Sequence, residues 1–462
     1  MPLFAGLFLA LIVLLIWLPL PIGSNRPWSQ GLMAMIALTL CGLWASAYAL
    51  SPFESPPALR ALKLPGVVLG AWALYPVLQL VPLPLSFVES IRGPLNGVDL
   101  LFADTGKPSL TSLSIDPGAT IGGLLSQLAI VSIFFLVVAL TTSEIRLRMI
   151  LRALFGVGLA EAFYGLMLRF ADSSLGLWDP GHMKSAVSGT YVNQNHFAGL
   201  MEVTIPVTIG LLLVEQQITP PSHKTQRMLD RLVEFILGWR GILTFALAIM
   251  VPALVMTASR GAILSLTAAL IVGSFLQIRR WNMSVPLIRN TALLSGVIVL
   301  SLAWLGTGSL VEKFEKVGIE SDRADLRDIS YRMVKDNPVV GTGVGTYRWA
   351  FPVYKDERFG SGFYEHAHND YLEILGEQGV IGFGLFLCAI IMFLSRIGLS
   401  LIRHRDPCVR GVLFASFTGC LALLLHGLVD FNLQIPANAA YFFTLLAIGV
   451  IAPHLETFSA DG

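Results

Sequence analysis

Residues 361–378 read Ser-Gly-Phe-Tyr-Glu-His-Ala-His-Asn-Asp-Tyr-Leu-Glu-Ile-Leu-Gly-Glu-Gln and hold two of the chain's eight histidines, His366 and His368. Imidazole titrates nearest to neutral pH, so a positioned histidine can take or give a proton under working conditions. Asp370 followed three residues later by Glu373 resembles a capping box and predicts a helix start here. His368 would then lie at a helix N-terminus, where the dipole disfavours imidazolium and leaves a neutral ring able to accept a proton. The same backbone N–H groups would welcome a phosphate anion. Two other readings stay open. One is a structural His-x-His whose rings hydrogen-bond within a surface loop. The other is a metal pair, but no matching Cys, His or Glu-x-x-His partner stands nearby, so no metal is expected.

Cations come next. In the segment 321–338, Asp322 can cap a helix that Pro338 ends, and Arg323 and Arg327, four apart, share one face of it. A solvated charged helix is the alternative. Arg260 sits in Met-Thr-Ala-Ser-Arg-Gly-Ala with apolar runs on both sides. Charge at membrane depth is expensive and marks a substrate path or an ion pair, unless the side chain snorkels to the interface. Glu161, Glu202 and Asp430 also interrupt apolar runs and could pair with Arg260 as buried structure. Gly341, Gly343 and Gly345 lack the Gly-x-Gly-x-x-Gly spacing of a nucleotide loop, and tight turning accounts for them better.

Composition says what must hold these residues in place. Of 462 residues, 55% are hydrophobic and 13% charged, and the net charge is +1; mean hydropathy is +0.71. Soluble globular chains carry about 25% charged residues, so a cytoplasmic enzyme, a nucleic-acid binder and a disordered scaffold are excluded. The four cysteines, Cys41, Cys388, Cys408 and Cys420, fall in apolar stretches or a basic loop and form no Cys-x-x-Cys spacing. The expected fold is an all-α polytopic membrane protein.

Apolar runs long enough to cross a bilayer number about twelve: 3–20, 30–50, 64–82, 120–140, 150–170, 196–214, 241–257, 261–277, 291–307, 377–396, 410–427 and 437–453. The division of the 241–277 pair is the least defined. No Lys or Arg precedes the first run and no small-residue cleavage site follows it, so it reads as an uncleaved anchor. With both termini cytosolic, the inward loops 51–63, 141–152, 215–240, 277–290 and 396–410 hold sixteen Lys and Arg, against six in the short outward segments: Arg26, Arg92, Lys107, Arg169, Lys184 and Arg260. The positive-inside rule favours that orientation. The long segment 308–375 carries 21 of the 61 charged residues. The expected organisation is therefore 1–307 with spans one to nine, 308–376 as a large periplasmic loop bearing the histidines, and 377–462 with spans ten to twelve and a cytosolic C-terminus.

Several of these segments together resemble the O-antigen ligase superfamily, which contains lipopolysaccharide O-antigen ligases, O-antigen and exopolysaccharide polymerases, and bacterial O-oligosaccharyltransferases. The strongest likeness is Glu365-His366-Ala367-His368-Asn369-Asp370-Tyr371-Leu372-Glu373, followed by Gly376, Glu377, Gly379 and Gly382. Arg323 through Asp336-Asn337-Pro338 and Gly341-Thr342-Gly343-Val344-Gly345 resembles the lead-in to the family's large outer loop. Asn25-Arg26-Pro27-Trp28, Gly189 through Asn195-His196 to Gly199, Ser259-Arg260-Gly261, and His426 through Asp430-Phe431-Asn432 to Pro436-Ala437-Asn438 fit in order. The likeness spans most of the chain.

The resemblance implies a GT-C type membrane glycosyltransferase of the bacterial inner membrane with a periplasmic active site. The donor is a glycan on undecaprenyl diphosphate, and no cofactor is needed. The histidine directly before Asn maps to His368 as the base, and the family's two arginines map to Arg260 and Arg323. Arg327 stands where relatives more often carry an aromatic residue. Substrate contacts are implied for His366, Asn369, Asp370, Tyr371, Arg26, Asn195, His196 and Asp430. The first outward loop has no carboxylate of the kind that holds a divalent cation in other membrane glycosyltransferases. The expected acceptor is lipid A–core, as for a ligase; a polymerase would use a second lipid-linked repeat. Membrane lipids and a chain-length regulator are further candidate partners, and no nucleic acid is expected. The rival class is a twelve-span transporter or flippase divided by the 215–240 loop, which the concentration of charge in one loop and the lack of an internal repeat disfavour.

Overall fold

In hydrocarbon, each backbone N–H and C=O must pair within its own segment or a closed barrel, so long apolar runs become helices. A computed structural model describes residues 2–50, 56–92, 109–170, 186–218, 238–278, 318–355, 359 and 364–455. In chain order its helices are α1 (Pro2–Trp17), α2 (Pro27–Leu50), α3 (Pro57–Leu80), α4 (Leu85–Arg92), α5 (Pro117–Leu140), α6 (Glu144–Phe170) and α7 (Gln194–Ile218). They continue with α8 (Trp239–Met256), α9 (Arg260–Ile278), α10 (Gly318–Asp336), α11 (Tyr347–Tyr354), α12 (Asp370–Arg403), α13 (Pro407–His426) and α14 (Pro436–Ile451). The strands among the described residues are one two-residue pair, Leu83–Pro84 against Leu110–Thr111.

The chain is an all-α polytopic membrane protein. Ten of the helices are long and apolar enough to cross a bilayer, and α1 is a shorter apolar helix. Eleven of the twelve expected spans coincide with these eleven helices. The twelfth, 291–307, lies outside the described residues. The 241–277 pair divides at 257–259, where Ala258 adopts φ +55°.

The interior columns are α7 and α14, each with 89% of its apolar window buried, whereas α2 buries only 22% and faces outward. A helix that is hydrophobic all round belongs in the centre of a bundle. Where α7 crosses α13, a Cβ on Gly210 would come within 2.7 Å of the Gly411 carbonyl oxygen, so small residues let the two backbones approach.

Outside the spans, α10 and α11 share a separate apolar cluster of Leu326, Ile329, Met333, Tyr347, Phe351 and Ala367. One expectation about a local start needs correction. Helix α10 begins at Gly318, so Asp322 lies inside it and is not its cap. Helix α12 begins at Asp370, where the capping pattern puts a helix start, and a break at Gly379 (φ +61°, ψ −173°) separates these first turns from the crossing segment. That break is held from outside. A Cβ on Gly379 would lie 2.3 Å from the Val339 carbonyl carbon, and Val380 N–H donates to Pro338 O at 2.8 Å.

The glycine run passes just beside that break. Gly341, Gly343 and Gly345 all have positive φ, and Gly343 N–H donates to Glu377 O at 2.9 Å. Gln79, fully buried at the end of α3, fastens this strap. Its amide donates to Val340 O (2.7 Å) and Glu377 O (2.8 Å), and its oxygen accepts from Val344 N–H (3.1 Å).

Candidate functional site

Three segments far apart in sequence meet at one end of the bundle: the start of α7, the start of α12 with the loop before it, and the connection from α13 to α14. Each is fixed by its own backbone chemistry. The cap of α12 is Asn369 rather than Asp370: its side-chain oxygen accepts from Leu372 N–H at 2.9 Å, and its amide donates to Leu428 O at 2.7 Å. Glu373 turns back out of the helix to accept from Ala367 N–H at 2.8 Å and to meet His366 Nδ1 at 2.7 Å. Between them His368 is held at φ +50°. That conformation costs an L-residue about 1–2 kcal/mol and persists only where the surroundings over-determine it.

Asp370 and Tyr371 are tied to the protein itself. Asp370 is fully buried; its carboxylate oxygens accept from Leu433 N–H at 3.2 and 3.1 Å, and its own N–H donates to Gly427 O at 2.9 Å. Tyr371 donates its hydroxyl to Leu424 O at 2.6 Å. These contacts clamp α12 onto the last turn of α13 and the loop after it.

That loop presents Asp430 and Phe431 to the histidines. The Phe431 ring is stacked on His366 at 4.3 Å and is met edge-on by His196 at 4.5 Å and His368 at 4.7 Å, all between ring centroids. Asp430 Oδ1 lies 3.7 Å from His196 Nε2 and 3.8 Å from His368 Nδ1, and it accepts from Phe431 N–H at 2.9 Å. Asp430 Oδ2 accepts from Asn195 Nδ2 at 2.6 Å. Burial alone would favour the neutral acid, but the hydrogen bond and charge of His196, with His426 and His368 beyond, hold the Asp430 carboxyl well below the usual carboxylate range. Burial likewise opposes charge on His366, and the Glu373 carboxylate beside it outweighs that, so its pKa is raised.

A second polar layer lies beneath. His426 Nδ1 sits 2.7 Å from Glu202 Oε2 and 3.0 Å from Asn432 Nδ2. Asn438 donates to Asn432 Oδ1 (3.0 Å) and to His196 O (2.9 Å), and accepts from the Tyr191 hydroxyl (3.0 Å). Gly199 makes room for this layer, since a Cβ there would stand 2.1 Å from Asn432 Oδ1. Glu161 accepts from the N–H and hydroxyl of Thr190 (3.0 and 2.8 Å). Glu161, Glu202 and Asp430 thus have partners other than Arg260.

The structure therefore brings together Asn195, His196, His366, His368, Asn369, Asp370, Tyr371 and Asp430. Arg260 opens α9 with an exposed side chain; its neighbour Gly261 packs beside the layer, a Cβ there falling 3.1 Å from the His426 ring. Arg26 is exposed at the start of α2, on a turn that reaches the same end, since a Cβ on Gly23 would meet Tyr191. Among the described residues no contact joins Arg26 to the histidines. Arg323 lies on α10, whose Met333 packs on α12 at Gly376; the Arg323 side chain is outside the described residues. Sequence reasoning missed Phe431, Glu373 as the partner of His366, and Gln79. The clearest available signal was polarity within apolar runs, which marks Gln79 but not Phe431. Among the described residues no group of three His, Cys, Asp or Glu side chains stands close enough to hold a metal ion.

Fold and site together define a multi-pass helical membrane protein with a histidine–carboxylate cluster at one end of its bundle. Residues 245–387 match the family model described as O-Antigen ligase, which places this stretch in the O-antigen ligase superfamily. That match supports a function of the ligase or polymerase type at the coarse level. The match takes in Arg260, α10 and the His366–Asp370 segment, while His196 and Asp430 lie beyond its ends. No curated protein matches the chain.

Proposed function

We propose that this protein is a bacterial inner-membrane glycosyltransferase that moves a glycan from undecaprenyl diphosphate to a hydroxyl of lipid A–core at the periplasmic face. The observation that carries the reading is His368, in a strained backbone conformation, with the Asp430 carboxylate 3.8 Å from its Nδ1. A carboxylate on that side favours the tautomer with the proton on Nδ1 and leaves Nε2 as the acceptor, the arrangement a general base needs. Nε2 takes the acceptor's hydroxyl proton, the hydroxyl oxygen bonds to the anomeric carbon, and the bond from that carbon to the diphosphate breaks. The diphosphate leaves as an anion and needs positive charge rather than a proton; Arg260 and Arg323 supply it. His366, paired with Glu373, and Phe431 position the base. Asp370 and Tyr371 act through the scaffold.

The periplasmic assignment rests on charge. Helix α12 carries Arg396 and Arg403 at the end remote from the histidines, and Arg405 follows it. Positive-inside then puts that end in the cytosol. With the four native cysteines replaced, Ser90→Cys should react with an impermeant thiol reagent applied from the periplasm and Arg405→Cys should not; the reverse pattern would move the site to the wrong face.

The reaction itself is tested with purified protein, undecaprenyl-diphosphate-linked glycan, and either lipid A–core or excess lipid-linked repeat as acceptor. Glycan should appear on lipid A–core. Chain growth on the lipid-linked repeat alone would make the protein a polymerase, and translocation of donor without any new linkage would make it a transporter.

A further inference from the structure

A cavity of about 600 Å³ opens between the ends of α3, α12 and α14, at the opposite end of the bundle from the histidine cluster. From the break at Gly379 to Arg396, the first α12 residue lining the cavity, the helix rises about 25 Å at 1.5 Å per residue, and the turns from Asp370 to the break lie between that point and the histidines. The cavity's walls combine two chemistries. Lys63, Arg396 and Arg403, with His404 and His454, bring cationic or protonatable groups. Ile397, Leu399 and Val450 supply an apolar wall. Among the described residues no Asp or Glu lines it.

That combination is selective. A soluble anion would gain nothing from the apolar wall, and a neutral lipid nothing from three fixed cations. Exposed Lys63, Arg396 and Arg403 surround the recess, which the orientation proposed above puts on the cytosolic side, the side of the inner-leaflet headgroups. Basic pockets between membrane helices on the cytoplasmic side suit anionic headgroups for this reason. Arg396 is already fixed in place, donating from Nη1 to Ala61 O at 2.8 Å, so the site is partly organised before any ligand arrives.

We propose that this cavity binds the phosphate headgroup and upper acyl chain of an anionic phospholipid, across the membrane from the histidine cluster. The site is independent of the reaction assigned to those histidines, and its test needs no glycan substrate.

The test uses the full-length protein in non-ionic detergent, titrated with phosphatidylglycerol, with phosphatidylcholine of the same tails, and with inorganic phosphate as competitor. Phosphatidylglycerol should bind saturably, phosphatidylcholine should not, and phosphate should fail to displace the lipid. Arg403→Gln should weaken phosphatidylglycerol about fivefold, the size expected for losing one cation near an anionic headgroup. Arg405→Gln, two residues further along but outside the cavity, should leave binding unchanged. Ser400→Trp, which fills the cavity without changing charge, should abolish it, and this variant decides the matter if Arg403→Gln does not fold. Equal binding of the two lipids, or equal weakening by Arg405→Gln and Arg403→Gln, would reduce the effect to diffuse surface charge and overturn the proposal. Displacement by phosphate alone would overturn the lipid assignment in favour of a free anion.

Discussion

His368→Ala is expected to lower glycan transfer by about 10²–10⁴-fold, the range typical of a removed general base, while the helical bundle still assembles. The fold should survive because the His368 side chain is 25% exposed and belongs to none of the apolar clusters. Its backbone offers a control that separates chemistry from stability. At φ +50° alanine keeps the strain that histidine bears, whereas glycine relieves it. His368→Gly should therefore unfold at a higher temperature than His368→Ala and be just as inactive. His366→Ala should be milder, since that ring positions through Phe431 and Glu373. Wild-type transfer by purified His368→Ala protein, measured as product on a glycan blot, would remove this residue from the mechanism.

The second large effect concerns the diphosphate. A dianion in a partly dehydrated site costs several kcal/mol unless cations face it. Arginine stays protonated and offers a planar fork that holds two phosphate oxygens at once, which lysine does not. Charge reversal, Arg260→Glu or Arg323→Glu, should abolish transfer. Arg260→Lys should still cost roughly 10²–10³-fold, as losing one preorganised donor to a transition-state charge does. Activity in EDTA should equal activity with added magnesium or manganese. If chelation stops the reaction and a divalent ion restores it, the arginine clamp is wrong and His366 and His368 must be re-examined as ligands.

The sequence alone determined the membrane class and eleven of the helices, because a bilayer reads hydropathy one segment at a time and each span satisfies its backbone internally. It also marked 361–378 as chemically unusual, since two histidines and four carboxylates within one short run need no partner to be noticed. Local signals were less exact where competing groups stood side by side. Asn369 and Asp370 can both cap a helix, and only the placement of Leu433 N–H, which engages Asp370, left Asn369 to do it. Likewise α10 starts at Gly318, one turn before Asp322, so a residue able to cap a helix lies inside it. The grouping of Asp430 with His196 and His368 was decided by tertiary structure alone. Residues 196, 368 and 430 come from three helix ends, and which ends share a face of the bundle depends on how α7, α12 and α13 pack. Phe431 shows this most plainly: an aromatic residue in an apolar chain carries no signal of its own, and it became the centre of three imidazoles only when the crossing of α7 and α13, close enough for Gly210 to touch Gly411, set the distance between their ends.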